Sequence, residues 1–401
     1  MTNPDSILLR GVEKIYPSVD SLSKVLKSGK KLRIYYGIDP TSPDIHIGHS
    51  VQLIKLGEFQ NLGHKIILLF GDFTAMIGDP SERGAARRPF TAKEIKQNIA
   101  TYKDQVAKII SFKKNSPEIV YNSTWWEKMS QVDFFGLISK FTTSQLLERD
   151  MFQERVRENK PIFISEFLYP ILQGYDSIAL DVDMEIGATD QTFNMMVGRQ
   201  LLRQEKNKEK FVLTTPILEG TDGRKMSKTY ANSINLSENP NDMFGKAMSI
   251  KDELIVKYFT LATNVNSEQI EAIGKKIREK SMNPIEAKKK LAFQLVKKYH
   301  SEETAKKAQE EFERVFQKGG RTANIEIINK QRTLLPISYA SLVTVSGGTP
   351  SVSEAVRLAQ NKGLRFDGKL IKNPRENIPQ PSRETIIDIG KRKSLRIVWE
   401  D

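Results

Sequence analysis

Two histidines three residues apart mark the most informative segment of the sequence. His46 and His49 follow a strand-like run that ends at residues 37–39 and a proline-rich turn. At this spacing both imidazoles lie on one face of the first turn of a helix, which Asp44 or a neighbouring Ser or Thr caps. A helix start offers free N–H groups and a positive dipole end, which favour phosphate, and Gly48 lets a flat ligand approach the backbone. Surface histidines are the alternative. A metal site is disfavoured because no third His or Cys stands nearby.

A lysine-containing loop is the second candidate for chemistry. Residues 225–229, with the letters KMSKT, follow the turn-forming pair Asp222-Gly223. Two ammonium groups and a hydroxyl can hold a pyrophosphate whose negative charge grows during displacement at an α-phosphate. Such a loop by itself is more often a solvated turn, but its combination with the histidine segment favours nucleotide chemistry. The sequence has no Walker-type phosphate loop, so a P-loop NTPase is not supported.

A third set of polar residues lies on one face of a predicted helix. Tyr169, Gln173 and Asp176 are spaced i, i+4 and i+7 within an otherwise apolar stretch. Two interpretations stay open at this point. The three side chains form either a buried structural network or the wall of a pocket for a polar ligand of aromatic size.

Composition limits the classes of function. The chain has 401 residues, no cysteine, four histidines and a formal net charge of +13. Without cysteine there are no disulfides, thiolate zinc sites, iron–sulfur clusters or cysteine nucleophiles. The positive charge suggests a nucleic acid partner, with a basic surface kept for solubility as the alternative. No signal peptide or apolar run long enough to cross a bilayer is visible, which predicts a soluble cytoplasmic protein without a membrane partner.

The order of elements predicts three domains. From residue 32 to about 234, short apolar strands alternate with helices, which is typical of a parallel sheet covered on both faces. Residues 238–318 are helical throughout, including residues 284–299 and 303–316, and residues 318–332 are predicted to be a linker. The tail from residue 335 contains a helix at 351–360 with a Ser/Glu capping box, a tight Asp367-Gly368 turn and a final strand.

The two motifs resemble the signatures of class I aminoacyl-tRNA synthetases. His46-Ile47-Gly48-His49 matches the HIGH pattern at every letter, and the KMSKT segment has Thr229 where Ser is commonest. Residues 35–41, 74–80, 169–176 and 185–191 further resemble the bacterial type of tyrosyl-tRNA synthetase, and the likeness runs through most of the chain.

The resemblance implies an α/β fold with three parts. These are a Rossmann-like parallel-sheet catalytic domain at residues 1–234 with a dimer-forming insertion, a helical anticodon-side domain at 235–330, and a small α+β RNA-binding domain of the alpha-L type at 335–401. It implies ATP-dependent ligation of L-tyrosine to tRNA(Tyr) through a tyrosyl-adenylate, with release of pyrophosphate and AMP. ATP is then a substrate, Mg²⁺ is expected with the pyrophosphate, and no dedicated protein metal site is expected.

The resemblance also assigns residues. Tyr35 and Asp176 bind the phenolic hydroxyl of tyrosine, Asp79, Tyr169 and Gln173 its ammonium group, and Gln191 its carboxylate end. The ATP site consists of Gly37, Asp39, His46, Gly48, His49, Asp190, Leu218, Lys225, Met226, Ser227 and Lys228. The residues expected to act on the phosphates are Thr41, His46, His49, Lys225, Lys228 and Thr229. Phosphates of RNA are expected to meet Lys362, Arg365, Lys369, Lys391, Arg392 and Lys393.

Two further expectations concern surfaces. An aromatic cluster is predicted to be either core or the interface of a homodimer, and the resemblance favours the dimer: Trp125, Trp126, Phe134, Phe135, Leu137 and Ile138. The arginines that follow Asp79-Pro80 contact the acceptor end of tRNA or belong to an ordinary exposed loop: Arg83, Arg87 and Arg88.

Three rival functions fit the sequence less well. A tryptophanyl-tRNA synthetase shares the fold, but the Tyr35/Asp176 pair and the basic tail argue against it. A simpler HxGH nucleotidyltransferase leaves the helical region and the tail unexplained. A non-catalytic RNA-binding relative is disfavoured because both signature motifs are intact.

Overall fold

The structure is a computed structural model that describes residues 7–80, 90–227, 230–316, 326–381, 383–390 and 393–400. The chain divides into two compact units, residues 1–305 and 306–401. The further division of the first unit at residue 234, into a catalytic and a helical domain, stays a prediction.

The first unit is organised around a six-stranded sheet. Its strands are β1 (Lys14–Tyr16), β2 (Arg33–Ile38), β3 (Lys65–Phe70), β4 (Glu118–Tyr121), β5 (Met184–Ala188) and β6 (Phe211–Thr215). Their spatial order is β1-β6-β5-β2-β3-β4. Strands β2 to β6 pair in parallel, as the alternating pattern predicted, whereas β1 is an antiparallel edge strand beside β6. Strand β1 was not predicted, because three residues carry too little periodicity to be recognised.

Helices connect and cover these strands. The helices of this part are α1 (Val19–Lys27), α2 (Ile47–Asn61), α3 (Thr74–Ile77), α4 (Ala92–Ile99), α5 (Tyr102–Val106), α6 (Ser123–Trp126), α7 (Gln131–Ile138), α8 (Thr143–Leu147), α9 (Asp150–Arg157), α10 (Ile164–Leu180) and α11 (Thr192–Lys206). Side-chain caps define several starts: Thr91 and Glu94 form a capping box before α4, as do Thr142 and Gln145 before α8. Strand β3 is buried at all but its first residue, as expected for a parallel strand covered on both faces.

Strand order creates a crevice at the centre of the sheet. From β2 the chain moves to β3 and β4 on one side, while β5 and β6 lie on the other. The loops that leave β2 and β5 therefore diverge. In open α/β sheets, ligands bind beyond the carboxyl ends of the strands at such a switch point. The loop after β2 carries the histidine segment, and the loop after β5 carries Asp190 and Gln191.

Four more helices complete the first unit, and a fifth contains the boundary with the second. They are α12 (Pro240–Met248), α13 (Ile255–Ala262), α14 (Ser267–Arg278), α15 (Pro284–Tyr299) and α16 (Glu302–Phe316). The predicted helix at 284–299 is confirmed in both of its bounds, with Asn283 as its cap and Pro284 in its first turn. Helix α13 packs on α14, α15 and α2, and the Ser50 hydroxyl of α2 lies 2.7 Å from the Tyr299 hydroxyl of α15.

Beyond α16, the described residues of the second unit form a five-stranded sheet and two α-helices. Its elements are β7 (Glu326–Gln331), α17 (Tyr339–Val345), α18 (Val352–Gln360), β8 (Leu364–Phe366), β9 (Lys369–Leu370), β10 (Glu384–Ile389) and β11 (Lys393–Glu400). The strand order is β7-β11-β10-β8-β9, and only β7 pairs in parallel. The core is formed by Ala340, Leu342, Val343, Ala355, Leu364, Ile387, Leu395 and Ile397.

The tail confirms most of its predicted elements and corrects one. The tight turn between β8 and β9 has Asp367 at φ 49° and Gly368 at φ 82°, the conformation that a two-residue hairpin requires. Ser351 accepts a hydrogen bond from the Glu354 backbone at the start of α18, which is one of the two bonds of the predicted capping box. The Glu354 carboxylate accepts a hydrogen bond from Arg357. The predicted linker at 318–332 was wrong for its second part, because strand β7 begins at Glu326 and pairs with the last strand of the chain. The local sequence of residues 326–331 does not reveal that β11 is the strand with which they pair.

Candidate active site

The two histidines lie stacked at the start of α2. His46 is the N-cap residue and makes no capping bond with its side chain, so the predicted cap by Asp44 or a neighbouring Ser or Thr was wrong. The imidazole centroids of His46 and His49 are 3.8 Å apart and the rings are nearly parallel, which confirms that both share one face. The Nδ1 atoms of both rings are buried and have no hydrogen-bond partner.

Their surroundings keep both imidazoles neutral. Burial, the neighbouring ring and the Lys225 ammonium lower the pKa of His46 well below its ordinary value. Burial and Lys225 lower the pKa of His49 to about 4. At neutral pH the rings are hydrogen-bonding groups without charge.

Close approach at Gly48 joins the two signature motifs. A Cβ atom at this position would lie 2.9 Å from the His46 ring and 3.3 Å from the sulfur of Met226. Only a residue without a side chain leaves both neighbours in place. The structure therefore brings the histidine segment and Met226 of the KMSKT segment together.

The loop that carries the KMSKT segment is anchored at its base. The Asp222 carboxylate accepts hydrogen bonds from the Asn232 amide at 2.8 Å and from the Arg224 backbone at 3.0 Å, and these bonds lower the pKa of Asp222. The Ser227 backbone donates to the Asn232 side chain at 2.9 Å. Leu218, predicted beside the adenine, is buried. Lys228 and Thr229 lie outside the described residues.

Lys225 reaches across to the loop after β5. Its ammonium group lies 2.6 Å from the Asp190 carboxylate, and both side chains are partly exposed. The structure thus places a predicted pyrophosphate-binding lysine next to a predicted ribose-binding carboxylate. Two of the predicted ATP residues on the first loop, Thr41 and Asp39, are joined by a backbone bond of 2.8 Å. Gly37 lies just before them, in β2.

Two groups of hydrogen bonds include residues of the polar face of α10. In the first, Tyr169 donates to one oxygen of Asp39 at 2.8 Å, and the Thr74 hydroxyl donates to the other at 2.7 Å. In the second, the Gln191 amide donates to Asp79 at 2.6 Å. The Asn194 amide donates to both Gln191 and Gln173, at 3.0 and 2.9 Å. Three of the predicted ammonium- and carboxylate-binding residues, Asp79, Gln173 and Gln191, therefore belong to one connected set, and Tyr169 belongs to the other.

Three donors surround the carboxylate of Asp176. The indole N–H groups of Trp125 and Trp126 lie 2.9 and 3.2 Å from one oxygen, and the Asn122 amide lies 3.3 Å from the other. The carboxylate is buried, and that burial raises the pKa of Asp176 against the opposing effect of the donors. Trp126 therefore belongs to the core, which is one of the two alternatives given for the aromatic cluster in the sequence analysis.

Tyr35 lies deeper than the other predicted residues. Its side chain is 0% exposed, and its hydroxyl is 3.1 Å from the Ser177 hydroxyl. Burial, followed by the charge of Glu185, raises the pKa of Tyr35 well above its ordinary value. The charge of Asp176 acts in the same direction. Because Ser177 follows Asp176 in the chain, its contact with Tyr35 brings the two predicted phenol-binding residues to the same region.

Several residues of this region were missed by the sequence analysis. Asn122, Ser177, Glu185, Asn194 and Lys210 are all buried and all bond to a predicted site residue or to its partner. Arg149 is also buried, with its guanidinium 5.4 and 5.2 Å from the rings of Phe152 and Phe193. In the sequence, the signal that could have pointed to such a residue is a charged side chain within an apolar strand, such as Glu185 in β5.

The predicted RNA-binding residues belong to the second unit. Lys362, Arg365 and Lys369 are exposed or nearly so around the β8–β9 hairpin, and Lys393 begins β11. Lys391 and Arg392 lie outside the described residues, as do Arg83, Arg87 and Arg88. Within the described ranges, no group of three or more His, Asp or Glu side chains is arranged to hold a metal ion. In the same part of the chain, no helix is long and apolar enough to cross a membrane.

Comparisons with known proteins agree with this geometry. The profile of the family described as tRNA synthetases class I (W and Y) matches residues 27–317. The tyrosine--tRNA ligase of Thermotoga maritima is 42% identical over 392 residues, which cover 98% of this chain and 96% of that protein. The tyrosine--tRNA ligase of Haemophilus influenzae is 40% identical over 401 residues, which cover 99% of this chain and 98% of that protein.

Solved structures share the fold. The tyrosyl-tRNA synthetase of Archaeoglobus fulgidus, complexed with L-tyrosine, aligns with a TM-score of 0.61 at 22% identity, covering 76% of this chain and 98% of that one. The C-terminally truncated mitochondrial enzyme of Coccidioides posadasii aligns with a TM-score of 0.61 at 25% identity, covering 77% and 92%. The resemblance found in the motifs is thus confirmed: the chain belongs to the class I tRNA synthetases of the W and Y family, alongside relatives that are tyrosine--tRNA ligases.

Proposed function

We propose that the protein is an ATP-dependent ligase that attaches L-tyrosine to tRNA(Tyr) in two steps. The carboxylate of tyrosine attacks the α-phosphate of ATP, which forms tyrosyl-adenylate and releases pyrophosphate. The tyrosyl group then passes to the 3′ end of the tRNA and AMP leaves. The observation that carries this proposal is the crevice between β2 and β5, where the stacked imidazoles, Met226 and Lys225 of the KMSKT segment, and Asp190 meet.

The phosphate side of the site works by position and charge. Thr41, His46 and His49 contact the phosphates, Gly48 leaves room for the adenosine, and Leu218 lies by the adenine. Lys225, Lys228 and Thr229 close over the pyrophosphate, and Asp190 binds the ribose hydroxyls. No side chain acts as nucleophile or general base in this proposal. Orientation of the reactants and stabilisation of the growing charge account for catalysis. Mg²⁺ is carried by the pyrophosphate.

The amino acid side selects tyrosine through its polar ends. Asp79, Tyr169 and Gln173 bind the ammonium group, Gln191 lies at the carboxylate end, and Tyr35 and Asp176 bind the phenolic hydroxyl. A buried partner for a hydroxyl rejects phenylalanine, because the partner then loses its bond. Tyrosyl-tRNA synthetases are the standard example of this discrimination. The hydrogen bonds that hold Tyr169, Asp79 and Gln173 in place support these assignments.

The second unit is proposed to bind tRNA. In this interpretation it is an RNA-binding domain of the alpha-L type, and Lys362, Arg365, Lys369, Lys391, Arg392 and Lys393 contact phosphates. A basic chain of net charge +13 supports an electrostatic contribution to RNA binding. The cytoplasmic location expected from the sequence stays a prediction.

The protein is also proposed to form a homodimer. Five large apolar side chains are more than half exposed on and beside α7, α9 and α10: Val132, Phe135, Val156, Phe163 and Ile164. These elements adjoin one another, since Arg155 of α9 bonds Glu166 of α10 at 2.7 Å and Leu137 of α7 packs with Ile171 of α10. A surface of this kind supports an association interface. Sedimentation equilibrium measures the mass of the protein in solution, and we expect the mass of two chains.

Amino-acid-dependent exchange of labelled pyrophosphate into ATP tests the function. Exchange should require tyrosine and should not occur with tryptophan or phenylalanine at the same concentration. Exchange driven by tryptophan would identify the other substrate class of this family and overturn the proposal. Absence of exchange with every amino acid would favour a non-catalytic RNA-binding protein.

A further inference from the structure

We propose that the buried ion pair of Glu185 and Lys210 is a positioning device for the tyrosine pocket, which fixes the orientation of Gln173 and the place of the Tyr35 hydroxyl. The inference deepens the proposed function and rests on it. It concerns two residues that touch no ATP or tyrosine atom in the proposed site but bond the residues that do.

The pair lies near the starts of the neighbouring strands β5 and β6. Glu185 of β5 is the direct neighbour of Tyr35 across the parallel pairing with β2, so both side chains project from the same face of the sheet. Lys210 immediately precedes β6 and is 0% exposed, while Glu185 is 2% exposed. The Lys210 ammonium bonds the Glu185 carboxylate directly. Removing two charges from water costs free energy, so a buried ion pair contributes little net stability. A role in positioning neighbouring side chains accounts for its presence here.

A chain of hydrogen bonds links the pair to Tyr35. Lys210 donates to Glu185 and also to the Ser177 hydroxyl at 2.8 Å. The Ser177 hydroxyl lies 3.1 Å from the Tyr35 hydroxyl. The Tyr35 hydroxyl is thus held by Ser177, which is itself held by Lys210.

The same carboxylate fixes the amide of Gln173. Its nitrogen donates to Glu185 at 3.1 Å, and its oxygen accepts from Asn194 at 2.9 Å. An ionised carboxylate only accepts hydrogen bonds, so it admits the NH₂ end of the amide and turns the oxygen away. The oxygen is the end that a substrate ammonium requires. Glu185→Gln places both a donor and an acceptor there, so only the Asn194 amide would still select the Gln173 oxygen.

The test is a double substitution that removes both charges and keeps their volume, Glu185→Gln with Lys210→Met. In tyrosine-dependent pyrophosphate exchange, we expect the KM for tyrosine to rise about tenfold, the scale of one lost hydrogen bond to a charged group. The KM for ATP should stay within twofold of the wild-type value, because the ATP residues are not bonded to the pair.

A milder variant keeps the test valid if the double substitution does not fold. Ser177→Ala removes only the hydroxyl that joins Lys210 to Tyr35, and we expect a rise of about threefold in the KM for tyrosine. The matched control is the ion pair of Lys55 and Glu58, whose lysine is also buried but which lies on α2 away from the pocket. Lys55→Met with Glu58→Gln should lower the melting temperature without changing the KM for tyrosine.

Two outcomes would overturn the inference. One is a KM for tyrosine within twofold of wild type in a folded Glu185→Gln/Lys210→Met protein and in Ser177→Ala, which would make the pair purely structural. The other is an equal change in the KM for ATP, which would show general distortion. Failure of the wild-type protein to exchange with tyrosine would instead refute the proposed function, so the two failures are distinguishable.

Discussion

At the scale of single residues, the histidine pair shows how burial sets chemistry. Stacked rings without partners for their Nδ1 atoms sit beside a lysine, and each of these features disfavours the protonated form. A neutral imidazole donates one hydrogen bond and brings no charge. That suits a group that meets ATP phosphates while the lysines of the loop supply the positive charge.

The low pKa of His49 predicts a pH-dependent contribution to stability. In the unfolded chain the imidazole takes up a proton as the pH falls through about 6.5, whereas the folded ring resists until about pH 4. The unfolded state therefore binds more protons in this window, and stability falls as the pH is lowered through it. The loss is on the order of 3 kcal/mol, since each pKa unit corresponds to about 1.4 kcal/mol.

Replacement by a residue that does not titrate should remove that loss. Urea denaturation at about pH 7 and about pH 4.5 gives the free energy of unfolding of the wild type and of His49→Gln. Because the carboxylates contribute equally to both proteins, the difference between the two proteins reports the contribution of His49. We expect the wild type to lose more free energy of unfolding than the variant between the two pH values. Equal losses would mean that the ring is protonated in the folded protein.

At this scale, the site residues that can be predicted from the sequence are those recognised by a short motif or by helical spacing. His46, His49 and Lys225 stand in short motifs, and the helical spacing of Tyr169, Gln173 and Asp176 places them on one face. Glu185, Lys210 and Asn194 could not be found in this way. Each comes from a different element, and they meet only because β5, β6 and α11 adjoin in the fold. A polar residue in an apolar strand signals burial with a partner but does not name the partner.

At the scale of elements, the end of β3 depends on a close approach. A Cβ atom on Gly71 would lie 2.0 Å from the Asp39 carboxylate and 2.3 Å from the Thr74 hydroxyl. The bare backbone lets the loops after β2 and β3 meet, so that Asp39 can bond both Thr74 and Tyr169. Helix bounds such as Pro284–Tyr299 were predictable from caps and periodicity. Strands β1 and β7 were not, because each is short or separated from its partner by an unrelated stretch.

Substituting Gly71 by Ala should therefore separate steric conflict from helix propensity. We expect Gly71→Ala to lower the free energy of unfolding by about 1–3 kcal/mol and to raise the KM for tyrosine, because the Asp39 and Thr74 side chains must move. The matched control is Gly245→Ala within α12, where a Cβ atom meets nothing within 4 Å.

The control should change in the opposite direction. An alanine in a helix interior is favoured over glycine by about 0.5–1 kcal/mol, so Gly245→Ala should unfold at a higher urea concentration with an unchanged KM. If Gly71→Ala were as stable as the wild type, the loops after β2 and β3 would have to tolerate a shift that leaves the Asp39 bonds intact.

At the scale of the whole molecule, the two compact units divide the proposed work. Every residue proposed to bind tyrosine or ATP lies between positions 35 and 229, within the first unit. The residues proposed to bind RNA lie between 362 and 393, within the second. Because β7 is part of the sheet of the second unit, a clean separation removes the chain after Phe316 rather than from residue 335. Cutting at 335 would leave β7 without its partner β11.

Truncation after Phe316 should separate the two steps of the reaction. The truncated protein retains the crevice, so tyrosine-dependent pyrophosphate exchange should stay within about threefold of the intact protein. Charging of tRNA(Tyr) at low tRNA concentration should fall by at least tenfold, since basic contacts to phosphates are lost. The charging defect should shrink at high tRNA concentration, because the chemical centre is intact and only binding is weakened.

Equal charging by both proteins at low tRNA concentration would exclude an RNA-binding role for the second unit. Loss of exchange would instead mean that the first unit depends on the second for its fold, which circular dichroism of the truncated protein would reveal.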